Sequence, residues 1–356
     1  MKMIVVKVGT NVLSRPDGRL DVTNISRLVD EIAALKQRGI SVVLVSSGAV
    51  GAGRELLPTA DKLDDVVRRQ ILSAIGQPRL MELYRRLFGG HGLLCAQVLA
   101  TRGDFRDRQH YLNMRNCFTG LLHDRVLPVV NENDVVAVTE LMFTDNDELA
   151  GLVAGMLEAD ALVILSTVAG LYDGPPDHPD SRLIERVDPD DEDIAARYVQ
   201  AGTSSFGRGG MQTKLRMAQR TARLGTDVYL GDGRRAGLLT ELAAGNFHGT
   251  HVPAGEERVS GVKRFLAQRP TARAGVTVNA GAAAELRNPG RVSSLLPVGV
   301  TAVAGDFTKG EVILITGPDG ETVGLGLAQY DSGTARAVLG KRGERPLVHY
   351  DYLWIG

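Results

Sequence analysis

Cysteine is nearly absent: Cys95 and Cys117 are the only two in 356 residues, in neither metal-ligand nor redox spacing. A disulfide framework is therefore excluded, and a reducing cytoplasm with both thiols as small buried side chains is expected. Long apolar runs are also missing, since no stretch approaches the roughly 20 residues a membrane span needs. The opening run Met1–Thr10 is broken by Lys7, is too short for a signal segment and has no small-residue cleavage site. No membrane partner is expected. Net charge is close to nil, 41 Lys and Arg against 42 Asp and Glu, so any contact with a polyanion must be local. Of the seven histidines only His248 and His251 lie close together, and without a third ligand they predict no metal centre.

What is present is an ordinary globular composition, 44% hydrophobic and 23% charged, in a chain long enough for two domains. The first two thirds alternate short Val/Ile-rich runs with helical periodicity, which predicts an α/β domain with a mainly parallel sheet. Strands are expected at Met3–Val8, Ser41–Val45, Leu93–Leu99, Val126–Val130, Ala161–Leu165 and Asp227–Leu230. Between the first two, Ile25, Leu28, Val29, Ile32 and Leu35 recur at helical spacing, with Thr23 or Asn24 as cap and Gly39 as terminator. The weakly periodic stretch 253–268 reads as a linker between domains at 1–252 and 269–356. Beyond it, short strands such as Glu311–Ile315 and Thr322–Leu327 flank the turn Gly317-Pro318-Asp319-Gly320, which predicts a small, mainly β domain.

Ligands of open parallel sheets sit at the carboxyl ends of the strands, and four segments there carry chemistry. In Lys7-Val8-Gly9-Thr10-Asn11 a lysine inside an apolar strand needs an anionic partner such as phosphate, unless the strand is an edge and the ammonium is solvated. Ser46-Ser47-Gly48-Ala49-Val50-Gly51-Ala52-Gly53 is a donor-rich loop suited to a small polar ligand or a phosphate, although glycine-rich turns are common. Asn131-Glu132-Asn133-Asp134, followed by a hairpin-like excursion at Asp145-Asn146-Asp147-Glu148, suits an amino acid's ammonium group, metal–phosphate coordination or a solvated turn. The fourth, Gly207-Arg208-Gly209-Gly210-Met211-Gln212-Thr213-Lys214, leads into a helix and suits an anion site, without the residue order of a Walker loop, unless it is a surface helix start with a solvated lysine. Two lysines on separate loops, Lys7 and Lys214, fit the demand of phosphoryl transfer for charge neutralisation. A carboxylate acceptor needs no general base because it is already ionised at neutral pH.

In order, Val5–Leu13 (V-V-K-V-G-T-N-V-L), Val45–Arg54 (V-S-S-G-A-V-G-A-G-R), Asn131–Asp134 (N-E-N-D), Asp145–Asp147 (D-N-D) and Gly209–Lys214 (G-G-M-Q-T-K) resemble the amino acid kinase family, on its glutamate-phosphorylating branch. The resemblance implies a three-layer αβα fold with a mainly parallel sheet, and ATP-dependent phosphorylation of the L-glutamate side-chain carboxylate with Mg²⁺ on the phosphates. It implies Lys7 and Lys214 as phosphate-neutralising groups and Ser47, Gly48, Asp134 and Asn146 as glutamate-binding residues. For ATP it implies Lys7, Gly9, Ser166, Thr167, Arg208, Gly209, Gly210, Met211, Gln212, Thr213 and Lys214, and for the metal Asp145 and Asp147. Ser166-Thr167 departs from the family's Thr-Asp pair, and Arg208 stands where a small or hydroxyl residue is common. Inhibition by proline and a homo-oligomer, dimer or tetramer, are further implications.

The segment from Arg269, with Gly290–Val300 and Gly305–Ile313, is similar to a PUA domain, a module that commonly binds RNA. Nine Lys and Arg against eight Asp and Glu from Arg269 onward make no basic footprint, so RNA binding and a structural or regulatory appendage both stand as readings.

Overall fold

The computed structural model describes residues 1–57, 64–137, 145–191, 193, 194, 197, 210–255, 274–288 and 293–355. The chain divides into two compact units, Met1–Arg258 and Val259–Gly356. Most of the expected linker, 253–268, lies outside the described residues.

The first unit is built on a seven-stranded sheet in the order β3-β4-β2-β1-β5-β6-β7. Its strands are β1 Met3–Val8, β2 Ser41–Ser46, β3 Cys95–Ala100, β4 Leu127–Glu132, β5 Ala161–Ser166, β6 Asp227–Asp232 and β7 Thr250–Val252. β1 to β6 pair in parallel, and β7 runs antiparallel to β6. Expected and observed strands agree to within a residue or two, and the observed ones reach further toward the site.

Side chains alternate across the sheet with period two, and each face has its own cover. Ile4, Val6, Val8, Val42, Leu44, Val129 and Val163 share one core with Ile25, Leu28, Val29, Ile32 and Leu35 of the helix Val22–Gln37 and with Leu80, Leu83, Tyr84 and Phe88 of the helix Asp65–Gly90. Val5 and Lys7 fall on the opposite face, against which the helix Asn146–Leu157 packs. That helix is buried at Asp147 and from Leu149 to Met156, so it lies inside the unit rather than on its surface.

The stretch Asp145–Glu148 is not a hairpin-like excursion but the start of this helix. Asp145 is the N-cap, its Oδ1 accepting from the amides of Asp147 at 2.9 Å and Glu148 at 3.1 Å. Asx residues serve turns and caps alike, and the acidic first turn favours the cap because it complements the positive helix end. The thiol expectation is also corrected: Cys95 is half-buried and Cys117 exposed. Cys117 lies on the helix Arg108–His123, whose buried side chains are Tyr111 and Phe118.

The second unit has a five-stranded sheet in the order β12-β11-β10-β8-β9, with β8 Gly275–Val278, β9 Val300–Ala304, β10 Val312–Thr316, β11 Thr322–Leu327 and β12 Leu353–Ile355. β8 and β10 are parallel and the other pairs antiparallel. The hairpin of β10 and β11 closes at the expected turn, where the Gly317 amide donates to the Glu321 carbonyl at 2.8 Å. Val276, Val278, Ile313, Ile315, Val323, Leu347 and Val348 form its core.

Candidate active site

The segments following β4, β2, β1 and β5 line one cleft of about 1290 Å³ at the carboxyl ends of the strands. This is where an open α/β sheet binds its ligand.

Lys7 is 4% exposed, and its strand is central, between β2 and β5, which removes the edge-strand reading. Its partner within the protein is Asp147: Lys7 Nζ lies 2.5 Å from Oδ1, while Lys214 Nζ donates to Oδ2 at 2.8 Å. Asp147 is fully buried. Burial alone would raise its pKa, but the ammonium groups of Lys7 and Lys214 outweigh burial and hold the carboxyl below its ordinary range. Two lysines far apart in the sequence thus meet on one carboxylate, which holds both cations beside the cleft.

Asp145 behaves oppositely. Burial and the neighbouring Asp147 charge push its pKa up, only partly offset by Lys7 and Lys214. Its Oδ2 is buried and has no hydrogen-bond partner among the described residues, although Asp145 lines the cleft.

Ser47 and Asn146 are brought together as expected. Asn146 Nδ2 donates to Ser47 Oγ and Asn131 Oδ1, each at 3.0 Å, and Asn131 Nδ2 in turn donates to Gln77 Oε1 at 3.0 Å. Gly48 turns the chain out of β2 at φ 102°, a left-handed conformation that glycine adopts without strain. The helix that follows, Ala49–Leu56, meets Asp65–Gly90 backbone to backbone: a Cβ on Gly76 would lie 1.8 Å from the Ala49 carbonyl oxygen. Glycine at that crossing fixes where the Ser47–Gly48 turn stands.

At the far edge, Asp134 is 8% exposed and accepts from Arg69 Nε at 2.8 Å. Arg69 Nη2 also donates to Glu132 Oε2 at 2.6 Å. Burial raises the Asp134 pKa, and the Arg69 guanidinium offsets that only in part.

On the other side of β1, Ser166, Thr167, Met211 and Lys214 line the cleft, whereas Gly210, Gln212 and Thr213 do not. The Thr213 amide returns to the Gly210 carbonyl at 3.0 Å as part of the helix Met211–Arg223, whose N-cap Gly210 supplies no side chain. Gly9 lines the cleft, but its amide is committed to the Leu165 carbonyl at 3.1 Å. The Ser166 hydroxyl closes a local turn by donating to the Val168 carbonyl at 3.0 Å. Arg208 and Gly209 lie outside the described residues.

Sequence reasoning missed Arg69, Gln77 and the cleft-lining stretch that includes Val168, Leu171, Tyr172 and Asp177. Arg69 and Gln77 sit mid-helix, where long-range pairing leaves no local pattern. The residues after β5 follow a strand end, and that position was the available signal.

A buried carboxylate that presents two ammonium groups to a cleft at the sheet's carboxyl edge is equipment for phosphoryl transfer. The amino acid kinase family matches residues 2–232 and the PUA domain residues 275–349, and the chain belongs to the amino acid kinase family. Its relatives include the glutamate 5-kinase of Chlorobaculum tepidum, 45% identical over 354 residues that cover 99% of this chain and 97% of that protein. The glutamate 5-kinase of Bacteroides thetaiotaomicron is 44% identical over 355 residues, covering 99% and 98%. The solved structure of carbamate kinase from Giardia lamblia bound to AMP-PNP shares the fold, with a TM-score of 0.53 at 20% identity over 71% of this chain and 99% of that one. No helix among the described residues is long and apolar enough to cross a membrane.

Proposed function

We propose that the chain transfers the γ-phosphoryl group of ATP to the side-chain carboxylate of L-glutamate, giving L-glutamyl 5-phosphate and ADP, a first step toward proline. The observation that carries this reading is that Lys7 and Lys214, both lining the cleft, are held on the buried Asp147. The full-length relatives named glutamate 5-kinase supply the identity of the acceptor.

The order of the strands gives the reaction its direction. β4 and β2 bring Asp134 and Ser47, β1 brings Lys7, and β5 brings Ser166 and Thr167. With adjacent strands about 4.8 Å apart, β4 and β1 are separated by about 10 Å, room for an amino acid ending at Lys7. Asp134 takes the acceptor's ammonium group, and Ser47, on the Gly48 turn, with Asn146, at the start of the helix Asn146–Leu157, places its side-chain carboxylate. A carboxylate oxygen forms the new bond to the γ-phosphorus, the bond to the β–γ bridging oxygen breaks, and its electron pair leaves with ADP. No proton has to move, so the step needs no general base. Lys7 and Lys214 neutralise charge on the phosphoryl oxygens, and Asp147 keeps both ammonium groups placed before the substrate arrives.

Mg²⁺ supplies charge neutralisation on the phosphates when bound. Such an ion takes one or two protein carboxylates and keeps several waters, and the unpartnered Oδ2 of Asp145 fits that need. Asp147 does not, because both its oxygens face lysines. Thr167, Met211 and Lys214, with the expected Arg208 and Gly209, belong to the nucleotide side.

The reading extends to proline as an inhibitor, a homo-oligomer, a cytoplasmic location, domain limits at 1–252 and 269–356, and RNA as a ligand of the second unit. A salt-titrated gel shift with the full chain tests the last. The deciding assay follows ADP release with ATP, Mg²⁺ and L-glutamate, aspartate or carbamate. Release that depends on glutamate is expected, and release with another acceptor alone overturns the proposal.

A further inference from the structure

The turn that carries Ser47 and Gly48 is held from beneath by two side chains that take no part in the phosphoryl transfer itself. Ser46, the last residue of β2, and Tyr84, on the helix Asp65–Gly90, are both fully buried, and neither lines the cleft. Tyr84 Oη and Ser46 Oγ lie 2.7 Å apart, and Ser46 Oγ donates to the Ser47 carbonyl at 2.9 Å. A hydroxyl has one proton to give, so with Ser46 donating to Ser47 the proton between the two hydroxyls comes from Tyr84. Burial pushes the Tyr84 phenol pKa up, which keeps the group a donor. The ring itself needs no such partner: it packs on Phe88 with centroids 6.0 Å apart, and a phenylalanine would fill the same space.

The relay Tyr84–Ser46–Ser47 acts on a single peptide. Other groups of the turn are held elsewhere: the Ser47 amide donates to the Val8 carbonyl at 3.2 Å, and Ser47 Oγ accepts from Asn146 Nδ2 at 3.0 Å. In a trans peptide the C=O and the following N–H point in opposite directions. A Ser47 carbonyl held inward on the buried Ser46 hydroxyl therefore aims the Gly48 N–H outward, toward the cleft that Gly48 lines. We infer that Tyr84 is a positioning residue for the acceptor: through the Ser46 hydroxyl it orients the Ser47–Gly48 peptide, whose N–H meets the acceptor's side-chain carboxylate. The inference rests on the proposed phosphorylation of that carboxylate and extends it to a residue behind the site. The helix Asp65–Gly90 thus grips this segment twice, at Tyr84 on Ser46 and at Gly76 on the Ala49 carbonyl.

The test is a double-mutant cycle read in both substrates. Tyr84→Phe keeps the ring and removes the hydroxyl, and KM for L-glutamate is expected to rise about 3- to 10-fold, the scale of one lost hydrogen bond, while KM for ATP stays within about twofold. Ser46→Ala should raise KM for glutamate at least as much, and adding Tyr84→Phe to it should change nothing further, because the relay is already cut. A KM for glutamate unchanged in Tyr84→Phe overturns the inference, and so do effects of the two substitutions that multiply. Urea unfolding of the same variants separates the roles: lower stability with both KM values unchanged makes Tyr84 a core residue alone and overturns it too. Wild-type protein that turns over aspartate or carbamate but not glutamate instead defeats the proposed function, and the same cycle is then read in the KM of that acceptor.

Discussion

The cleft contains two ion clusters built on opposite plans. At its centre, two cations, Lys7 and Lys214, share one carboxylate, Asp147; at its edge, two carboxylates, Glu132 and Asp134, share one cation, Arg69. In the first, two ammonium groups face one carboxylate; in the second, two carboxylates face one guanidinium. In each, the shared group sits between two partners of opposite sign, so the charged groups that line the cleft are placed before a ligand binds. Under the proposed function, the difference assigns the ends of a ligand: phosphoryl oxygens to the centre, an ammonium group to the edge.

The comparison is broken most severely at its centre. Lys214→Ala removes a cation from the moving phosphoryl group while Lys7 still pairs with Asp147, and kcat is expected to fall about 10²- to 10³-fold. Steady-state kinetics should show the loss in kcat with the KM for glutamate little changed, and near-normal turnover removes Lys214 from its role. Asp147→Asn attacks the same cluster through stability. Leaving Lys7 in the interior without its counter-charge is expected to cost about 3–5 kcal/mol in urea unfolding at neutral pH. The folded-state pKa of Asp147 is lowered, so its contribution is present above the unfolded value and lost as pH falls through the folded one. The gap between wild type and variant should therefore close in acid. A constant gap means the side chain acts by packing alone.

At the edge, Asp134→Asn replaces one of the two buried carboxylates and keeps the shape. KM for glutamate should rise about 10- to 100-fold, as expected for a lost charged hydrogen bond, while kcat at saturation is spared. An effect on kcat instead of KM would move Asp134 to the centre's function and dissolve the contrast.

The central cluster was largely legible in the sequence and the edge only half so. Lys7 stood out because a lysine in a Val-rich strand demands an anion, and Lys214 because it follows glycines at a helix start. Their common partner was not legible as such: Asp147 is 140 residues from Lys7 in the chain, and the run Asp145–Glu148 suits a turn as well as a cap. Deciding between them needs the tertiary fact that this helix is buried against β1. At the edge, Asp134 followed a strand and could be found, whereas Arg69 is one arginine among several on an amphipathic helix and gains meaning only from the carboxylates across from it. The strand order that sets the two clusters apart was likewise absent from local pattern, since parallel strands read alike whatever their neighbours.

The smallest expected effect comes from Asp145, which sits beside the central cluster and works against it. Its pKa is raised by burial and by Asp147, so the folded protein holds that proton more tightly than the unfolded chain does. Stability from this group is accordingly lost as pH rises from the unfolded value through the folded one, and at neutral pH the ionised carboxyl is a cost. Asp145→Asn keeps a good N-cap acceptor for the amides of Asp147 and Glu148 and removes the charge. The variant should be more stable than wild type at neutral pH by about 1 kcal/mol, an advantage that vanishes in acid, and should turn over slowly because the oxygen set aside for Mg²⁺ is replaced by an amide nitrogen. A stabilised, poorly active Asp145→Asn would mark a charge kept for the reaction at the expense of the fold; a destabilised one would make Asp145 a structural cap and leave the metal role without a residue.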